Sequence, residues 1–345
     1  MKLQVVDVVF ASDAGYVDQL KISSFSSVYA HRRHGQVLRV HVLDCGIGDR
    51  AWLDYSRSLM SFAMRNEVRI EIKRHQIDMT RFSEFPSWTN GSRANWARIL
   101  LPQLLADVDY CVYSDCDILF LDSPVGIVQE LLDSKGALLV GHKNPYGTKG
   151  PDGQWFHNAG LPYVEDEYVC SGLIGMNLVG LRNENFIAAV SGFLAKHPNP
   201  VSVDQTVLNW FCHGRISLLS SGWGMFNHEC HAMRTPVKAI HYSGGWPWCR
   251  VKNPYDWIGV YCSKDDIALW NDFRTQIVGL PKFQRAPILT RHKVCGLMAL
   301  WTCRLLNAFG ASFPGHPCFS EMIAMYCAKG TALVDARRRL FAELK

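Results

Sequence analysis

The residues best suited to do chemistry sit in one stretch, Asp-Val-Asp-Tyr-Cys-Val-Tyr-Ser-Asp-Cys-Asp at 107–117. Tyr110 to Tyr113 reads as a buried strand. It runs directly into two carboxylates, Asp115 and Asp117, with Cys116 between them. In an extended segment residues i and i+2 face the same side. The pair would therefore converge beyond the strand end, where open α/β sheets place their ligands. Two such carboxylates repel each other, and a divalent cation relieves the repulsion. Hard oxygen donors suit magnesium or manganese better than zinc. The same spacing also occurs in solvated turns and in phosphatases that work through an aspartyl phosphate. Those enzymes carry the pair early and follow it with a small hydroxyl residue, whereas Ile118, Leu119 and Phe120 follow here at mid-chain.

Further polar residues stand at element ends. Asp13 follows the first apolar run, and two readings stay open: it caps the next helix, or it accepts a hydrogen bond from a base N–H while Tyr16 stacks on that base. Arg98 lies just ahead of the central strand, where a guanidinium can face a diphosphate. His241 is followed by Tyr-Ser-Gly-Gly-Trp-Pro-Trp at 242–248, which suits a wet, aromatic-lined pocket better than a core. Trp155, Phe156 and His157 offer contacts for a sugar ring. His228-Glu229-Cys230-His231 has its histidines three apart rather than four, which argues against a zinc helix.

These residues need a frame of strands and helices. Val5–Ala11, Val37–Leu43 and Val68–Lys73 read as strands, and 16–29 and 50–65 as helices between them. Strand, small-residue turn and helix is how nucleotide-binding halves of α/β folds begin. The Gly-x-Gly-x-x-Gly signature of dinucleotide sites is absent. Residues 94–106 and 124–132 read as helices, 137–140 as a strand, and the glycine- and proline-rich span 143–166 as a loop. An apolar segment with small residues covers 169–178. Helices follow at 186–197 and from 203, the second with Asp204 near its start, then strands at 216–219 and 238–242.

An apolar content of 48% with 19% charged residues fits a folded, water-soluble chain rather than a disordered one. The net charge of +5 is unevenly spread: from Leu280 onward ten Lys and Arg face three Asp and Glu, while the rest carries 26 against 28. The twelve cysteines include no Cys-x-x-Cys pair, which argues against a zinc ribbon or a disulfide framework and for reduced thiols in the cytoplasm. The first residues do not read as a signal peptide, and no long charge-free apolar run is present. Beyond a boundary near 278–290, Val294, Leu297, Met298, Trp301, Leu305 and Ala308 recur at helical spacing, with Arg337-Arg338-Arg339 further on. That pattern fits a helix lying on an anionic membrane surface, against the plainer reading of a packed helical subdomain. The expected organisation is one domain over 1–279 and a basic, amphipathic helical region over 280–345.

Six ordered segments make residues 5–275 resemble glycosyltransferase family 8, which includes bacterial lipopolysaccharide and lipooligosaccharide galactosyl- and glucosyltransferases and, more distantly, glycogenin. They are Phe10-Ala11-Ser12-Asp13 with Tyr16; Arg98 in Ala-Arg-Ile-Leu-Leu-Pro; Tyr113-Ser114-Asp115-Cys116-Asp117; Ser171-Gly172 ahead of Met176-Asn177-Leu178; Asp204-Gln205 with Leu208-Asn209; and His241-Tyr242-Ser243-Gly244 before Pro247-Trp248. The resemblance implies an α/β GT-A (Rossmann-like) fold with a mixed, mostly parallel central sheet. It implies a retaining, UDP-hexose-dependent hexosyltransferase that delivers glucose or galactose to a saccharide or glycolipid acceptor, with Mn²⁺ or Mg²⁺ as cofactor. Carried over by position, Asp115, Asp117 and His241 hold the metal. Ala11, Asp13, Tyr16, Arg98, Asp115, Cys116, Ser171, Asp204, Gln205 and Gly244 contact the donor, and Asp204 and Gln205 flank the reacting sugar. No nucleic-acid partner is implied. The expected location is the cytoplasm, peripheral on the inner face of the cytoplasmic membrane. Ala14, Gly15, Cys170 and Trp246 depart from the family pattern, which keeps a catalytically silent nucleotide-sugar-binding scaffold as the alternative.

Overall fold

The computed structural model describes residues 4–88, 91–144, 150–227, most of 229–243, 264–282, scattered positions between 294 and 309, and 332–341. They form two compact units, Met1–Trp223 and Gly224–Lys345. The boundary expected near 279 falls inside the second.

The first unit is built on a seven-stranded sheet. Its strands are β1 (Val5–Ser12), β2 (Val37–Asp44), β3 (Ile70–Gln76), β4 (Tyr110–Ser114), β6 (Leu139–Lys143), β7 (Val169–Asn177) and β8 (Ile216–Leu218), in the order β3-β2-β1-β4-β7-β6-β8. A short strand, β5 (Ile118–Phe120), follows β4. Strands β1 to β4 pair in parallel, and β7 alone runs against its neighbours β4 and β6. The sheet is thus mixed and mostly parallel, an α/β arrangement. Val, Ile and Leu dominate β1 and β2 because helices cover such strands on both faces. At Gly175 of β7 a Cβ would come within 2.7 Å of the Val140 side chain, so the close approach of β6 requires glycine there.

Order 3-2-1-4 means the chain winds outward from β1 to β3 and then returns to β4 on the other side. The crevice between the carboxyl ends of β1 and β4 is therefore a topological switch point, the place where such sheets bind ligands. Phe10 pairs with Ser114 across it, so the loops carrying Asp13 and Asp115 open onto the same edge.

Helix α1 (Val17–His31) is buried along nearly its whole length from Leu20. Three of its four serines satisfy themselves locally: Ser24 donates to the Leu20 carbonyl at 2.7 Å, Ser26 to the Ser23 carbonyl at 2.7 Å and Ser27 to the Ser24 carbonyl at 2.7 Å. Ser23 reaches the Asp115 carbonyl at 3.3 Å instead. That bond ties the helix to the carboxylate turn.

Asp44 ends β2 and takes the backbone N–H groups of Gly46 and Ile47 at 2.9 and 2.6 Å, ahead of α2 (Asp49–Arg65). It also pairs with Arg74 at 2.7 Å. Burial pushes its carboxyl up, but these donors outweigh burial and hold it below the usual aspartate range. A lowered carboxyl contributes stability above its unfolded value, lost as pH falls through the folded one. Asp44→Asn should therefore cost about 2 kcal/mol at pH 7. The difference from wild type should shrink below about pH 4, as urea melts across that range would register.

Three readings need correction. The span 143–166 is not all loop, since Pro151–Asn158 is helix α5. Gly150 and Pro151 mark its start, proline being tolerated in the first turn, where its missing N–H costs nothing. Residues 94–106 form a 3₁₀ turn at Ala94–Leu100 and a short helix, α3 (Leu101–Leu104). Pro102 cannot donate back to the Arg98 carbonyl, which Leu101 takes instead. Asp115 to Asp117 is a turn closed by Ile118 N–H to the Asp115 carbonyl at 3.3 Å, not an extended segment.

The remaining helices of this unit are α4 (Val125–Asp133), α6 (Leu178–Asn183), α7 (Phe186–Lys196) and α8 (Val203–Phe211). In the second unit β9 (Met225–Phe226) pairs in parallel with β10 (Ala239–His241). Helix Ala332–Phe341 is tied to helix Lys264–Asp272 by Arg337 and Asp272 at 2.7 Å. Among the described residues no helix is long and apolar enough to cross a membrane. Cys45, Cys111, Cys116, Cys170, Cys212 and Cys230 are buried free thiols.

Candidate active site

Strand β7 extends past the end of β4: residues 173–177 pair with it, while 169–172 have no β4 partner. Buried backbone groups need partners, and the site is made of the side chains that supply them. Asn209 of α8 accepts from Val169 N–H at 2.8 Å and donates to its carbonyl at 2.9 Å. Gln205, one turn earlier on the same helix face, accepts from Ser171 N–H at 3.1 Å. Arg98 donates to the Ser171 carbonyl at 2.6 Å. Asp115 N–H donates to the Gly172 carbonyl at 2.7 Å, which fixes the start of the carboxylate turn.

Arg98 is the hub of this arrangement and is only 2% exposed. Its Nη2 meets Asp115 Oδ1 at 2.8 Å, its Nε lies 3.1 Å from Asp204 Oδ2, and its guanidinium sits 4.0 Å from the centre of the Tyr113 ring. Burial alone would lower its pKa, but Asp115 and Asp204 override that and raise it, so it carries charge at every working pH. Asp204 is fully buried and is also held by Asn95 Nδ2. Burial pushes its carboxyl above the usual range, with Arg98 and Asn95 opposing. Val203, just before it, has φ +47°, a left-handed conformation that costs a β-branched residue about 1–2 kcal/mol. The start of α8 accepts that cost where it aims Asp204 and Gln205.

Asp115 is also held by the Tyr113 hydroxyl, 3.0 Å from Oδ1. One carboxylate oxygen of Asp115 and one of Asp117 lie within 4.8 Å of each other, close enough for a single cation to bridge. Hard carboxylate oxygens at that separation fit manganese or magnesium. Cys116 does not join them as a ligand: its thiol donates to the Ala11 carbonyl at 3.3 Å, and burial, then Asp115 and Asp117, push its pKa well up.

A model of glycosyl transferase family 8 matches residues 7–251. The chain belongs to glycosyl transferase family 8. Among curated proteins none matches the sequence. Among solved structures, galactosyltransferase LgtC in complex with donor and acceptor sugar analogues is 21% identical, with 82% of this chain and 98% of that one covered and a TM-score of 0.62. The bifunctional glycosyltransferase WbbM is 18% identical over 81% of this chain and 50% of its own, with a TM-score of 0.58. GlyE of Streptococcus pneumoniae TIGR4 is 17% identical over 81% and 66%, with a TM-score of 0.51. At these identities the likeness is one of fold, and it supports the GT-A-like arrangement of this family 8 chain.

In this glycosyltransferase Asp13 caps the turn Ala14–Tyr16 by accepting from Gly15 N–H at 2.9 Å. Tyr16 stands half-buried at the entry to α1. The structure brings Arg98, Asp115, Ser171, Asp204 and Gln205 into one hydrogen-bonded group. His241 ends β10 in the second unit, buried and stacked on Phe226 at 5.1 Å between ring centres. Gly244 and Trp246 lie outside the described residues. Trp155 and Phe156 are packing residues: Phe156 is core against Tyr168, and Trp155 packs on Phe193 and His197. Glu229 accepts from Phe226 N–H at 2.8 Å, a local structural role. Asn95 was not singled out in the sequence. Its signal is the spacing to Arg98, since residues i and i+3 of a 3₁₀ turn share one face, and both reach Asp204.

Proposed function

We propose that this glycosyltransferase is a metal-dependent, retaining hexosyltransferase that moves glucose or galactose from a UDP-sugar to a saccharide or glycolipid acceptor in bacterial lipopolysaccharide or other surface-glycan synthesis. The observation that carries the reading is the carboxylate pair Asp115 and Asp117 at the switch-point edge, linked through one buried arginine to Asp204 beside Gln205. Asp115, Asp117 and His241 would hold the ion, which when bound supplies a Lewis acid for the departing diphosphate. Ala11, Asp13, Tyr16, Cys116 and Gly244 would line the nucleotide's place.

The chain's own groups do the rest. Arg98 holds and aims Asp115, with the Tyr113 hydroxyl supporting the same oxygen. Asp204 binds sugar hydroxyls, and Gln205 stands by the anomeric carbon. The departing β-phosphate takes the proton of the acceptor hydroxyl, which attacks the oxocarbenium-like centre from the face the UDP leaves. Front-face attack accounts for retention without the paired acid and nucleophile of a retaining hydrolase. The test is turnover of UDP-galactose and UDP-glucose with MnCl₂ and a panel of saccharide acceptors. Transfer with the α-configuration kept supports the reading. Tight UDP binding with neither transfer nor slow hydrolysis would favour a silent scaffold.

Docking at an anionic membrane belongs to the same reading. Met298, Trp301 and Leu305 are 66%, 62% and 56% exposed at helical spacing, and Arg304 lies among them. Met298→Glu with Trp301→Glu should lower binding to phosphatidylglycerol vesicles about tenfold or more, since burial of each such side chain is worth about 1.5–3 kcal/mol. Unchanged co-sedimentation would remove the membrane from the account.

A further inference from the structure

We propose that the groove between α5 and the segment following it binds a neutral oligosaccharide, the outer sugars of the acceptor chain. The proposal rests on the reading of this chain as one that transfers to a saccharide. Helix α5 ends in a Schellman turn. Gly160 N–H donates to the His157 carbonyl at 3.1 Å, Leu161 N–H donates to the Phe156 carbonyl at 2.9 Å, and Gly160 has φ +65°. The turn folds residues 161–163 back beside the helix, where the Tyr163 ring packs on Phe156 and Tyr168 at 5.6 and 5.0 Å between ring centres. Between them lies a pocket of about 420 Å³ lined by Gly153, Gln154, His157, Asn158, Leu161 and Tyr163, a volume usual for a bound small molecule.

The lining selects the class of ligand. None of the six residues is Asp, Glu, Lys or Arg, so nothing among them favours a phosphate or a charged peptide. Two carboxamides, an imidazole and a phenol offer mixed donors and acceptors, and the Tyr163 ring and Leu161 offer apolar contact. Hydroxyls around an apolar C–H face are what a sugar presents to such a set. The Tyr163 hydroxyl is buried and has no hydrogen-bond partner among the described residues. Buried polar atoms are seldom left unpaired without a functional reason, and a sugar hydroxyl can either donate to a phenol or accept from it. Of Trp155, Phe156 and His157, only His157 lines the pocket.

Topology sets the pocket at the working edge of the sheet. Strand β7 runs against β4 and β6, so its first residues stand where those two strands end. Tyr168, packed on Tyr163, immediately precedes β7. It stands three residues from Ser171, about 10 Å along an extended segment, and Ser171 meets Gln205 and Arg98. A glycan whose end reaches Gln205 can therefore lay its next sugars against α5. Such contacts are the same in ground and transition states, so they lower acceptor KM and leave kcat alone.

The test is saturation-transfer NMR on the full chain with UDP and MnCl₂. The probes are maltose and maltotetraose, lactose and lacto-N-neotetraose, and delipidated lipopolysaccharide core oligosaccharide. At least one of the longer glycans should bind. His157→Ala with Asn158→Ala should weaken it about fivefold or more, with UDP affinity within about twofold of wild type. Both residues are exposed, so the fold should survive. Tyr163→Phe should weaken the same glycan about threefold while the melting temperature holds or rises, because an unpaired buried hydroxyl stabilises nothing. In transfer assays the double variant should raise KM for a long acceptor about fivefold and leave its kcat, the donor KM and the KM of a short acceptor within about twofold. Binding by none of the probes would overturn the proposal, as would undiminished binding in the double variant or an equal KM rise for short and long acceptors. Binding lost in the variant, from a wild-type chain that transfers no sugar, would instead overturn the hexosyltransferase reading and keep the pocket as a saccharide site.

Discussion

Asp115→Asn or Asp117→Asn should lower manganese-dependent hexosyl transfer by about 10²–10³, the loss typical when one electrostatic group serving a developing charge is removed. The amide keeps the shape and, in Asp115→Asn, an acceptor for the Tyr113 hydroxyl and Arg98. What it removes is the charge that attracts a cation. Both positions stand in a turn whose backbone is held separately, by Asp115 N–H to Gly172 and by Ser23 to the Asp115 carbonyl. The fold should therefore survive, and melting temperatures should stay within a few degrees of wild type. Initial rates of UDP release beside a thermal melt give both quantities. Full activity in either variant would remove the metal from the mechanism.

Arg98→Met should have the largest effect on stability. It removes a buried cation and leaves Asp204, which is fully buried, without the guanidinium it pairs with. Breaking one side of such a buried arrangement costs about 3–5 kcal/mol, which is roughly 10 °C for a unit of this size. Transfer should be lost as well. A second variant separates charge from volume: Arg98→Met with Asp204→Leu should recover much of the lost stability, because well-packed apolar residues replace buried ion pairs at little net cost. It should recover no transfer, because Asp204 is assigned to the sugar. Denaturant melts and transfer assays on the two variants decide it.

Strand–helix alternation, the switch-point edge and the two carboxylates were legible in the sequence because each leaves a local trace. Apolar runs mark β1, β2 and β4, and a polar pair at the end of a buried strand stands out. The antiparallel direction of β7 left no such trace, since a strand buried on both faces reads the same either way. Its overhang past β4 is what recruits Arg98, Gln205 and Asn209, and that pairing joins residues 34 to 73 positions apart. Helix α5 was hidden by Gly150, Pro151 and Gly153, which read as loop residues although proline suits a first turn. The spacing of Asp115 and Asp117 was informative for a reason other than the one it suggested. The carboxylates converge because a closed turn brings them together, not because a strand alternates.

The central claim is that two neighbouring aspartates grip a cation that assists a leaving nucleotide. Anomalous diffraction at the manganese edge, from crystals of the whole chain soaked with UDP and MnCl₂, tests it most directly. The account predicts one peak within bonding distance of Asp115, Asp117 and the imidazole of His241. A well-ordered UDP with no manganese peak at those side chains would contradict it.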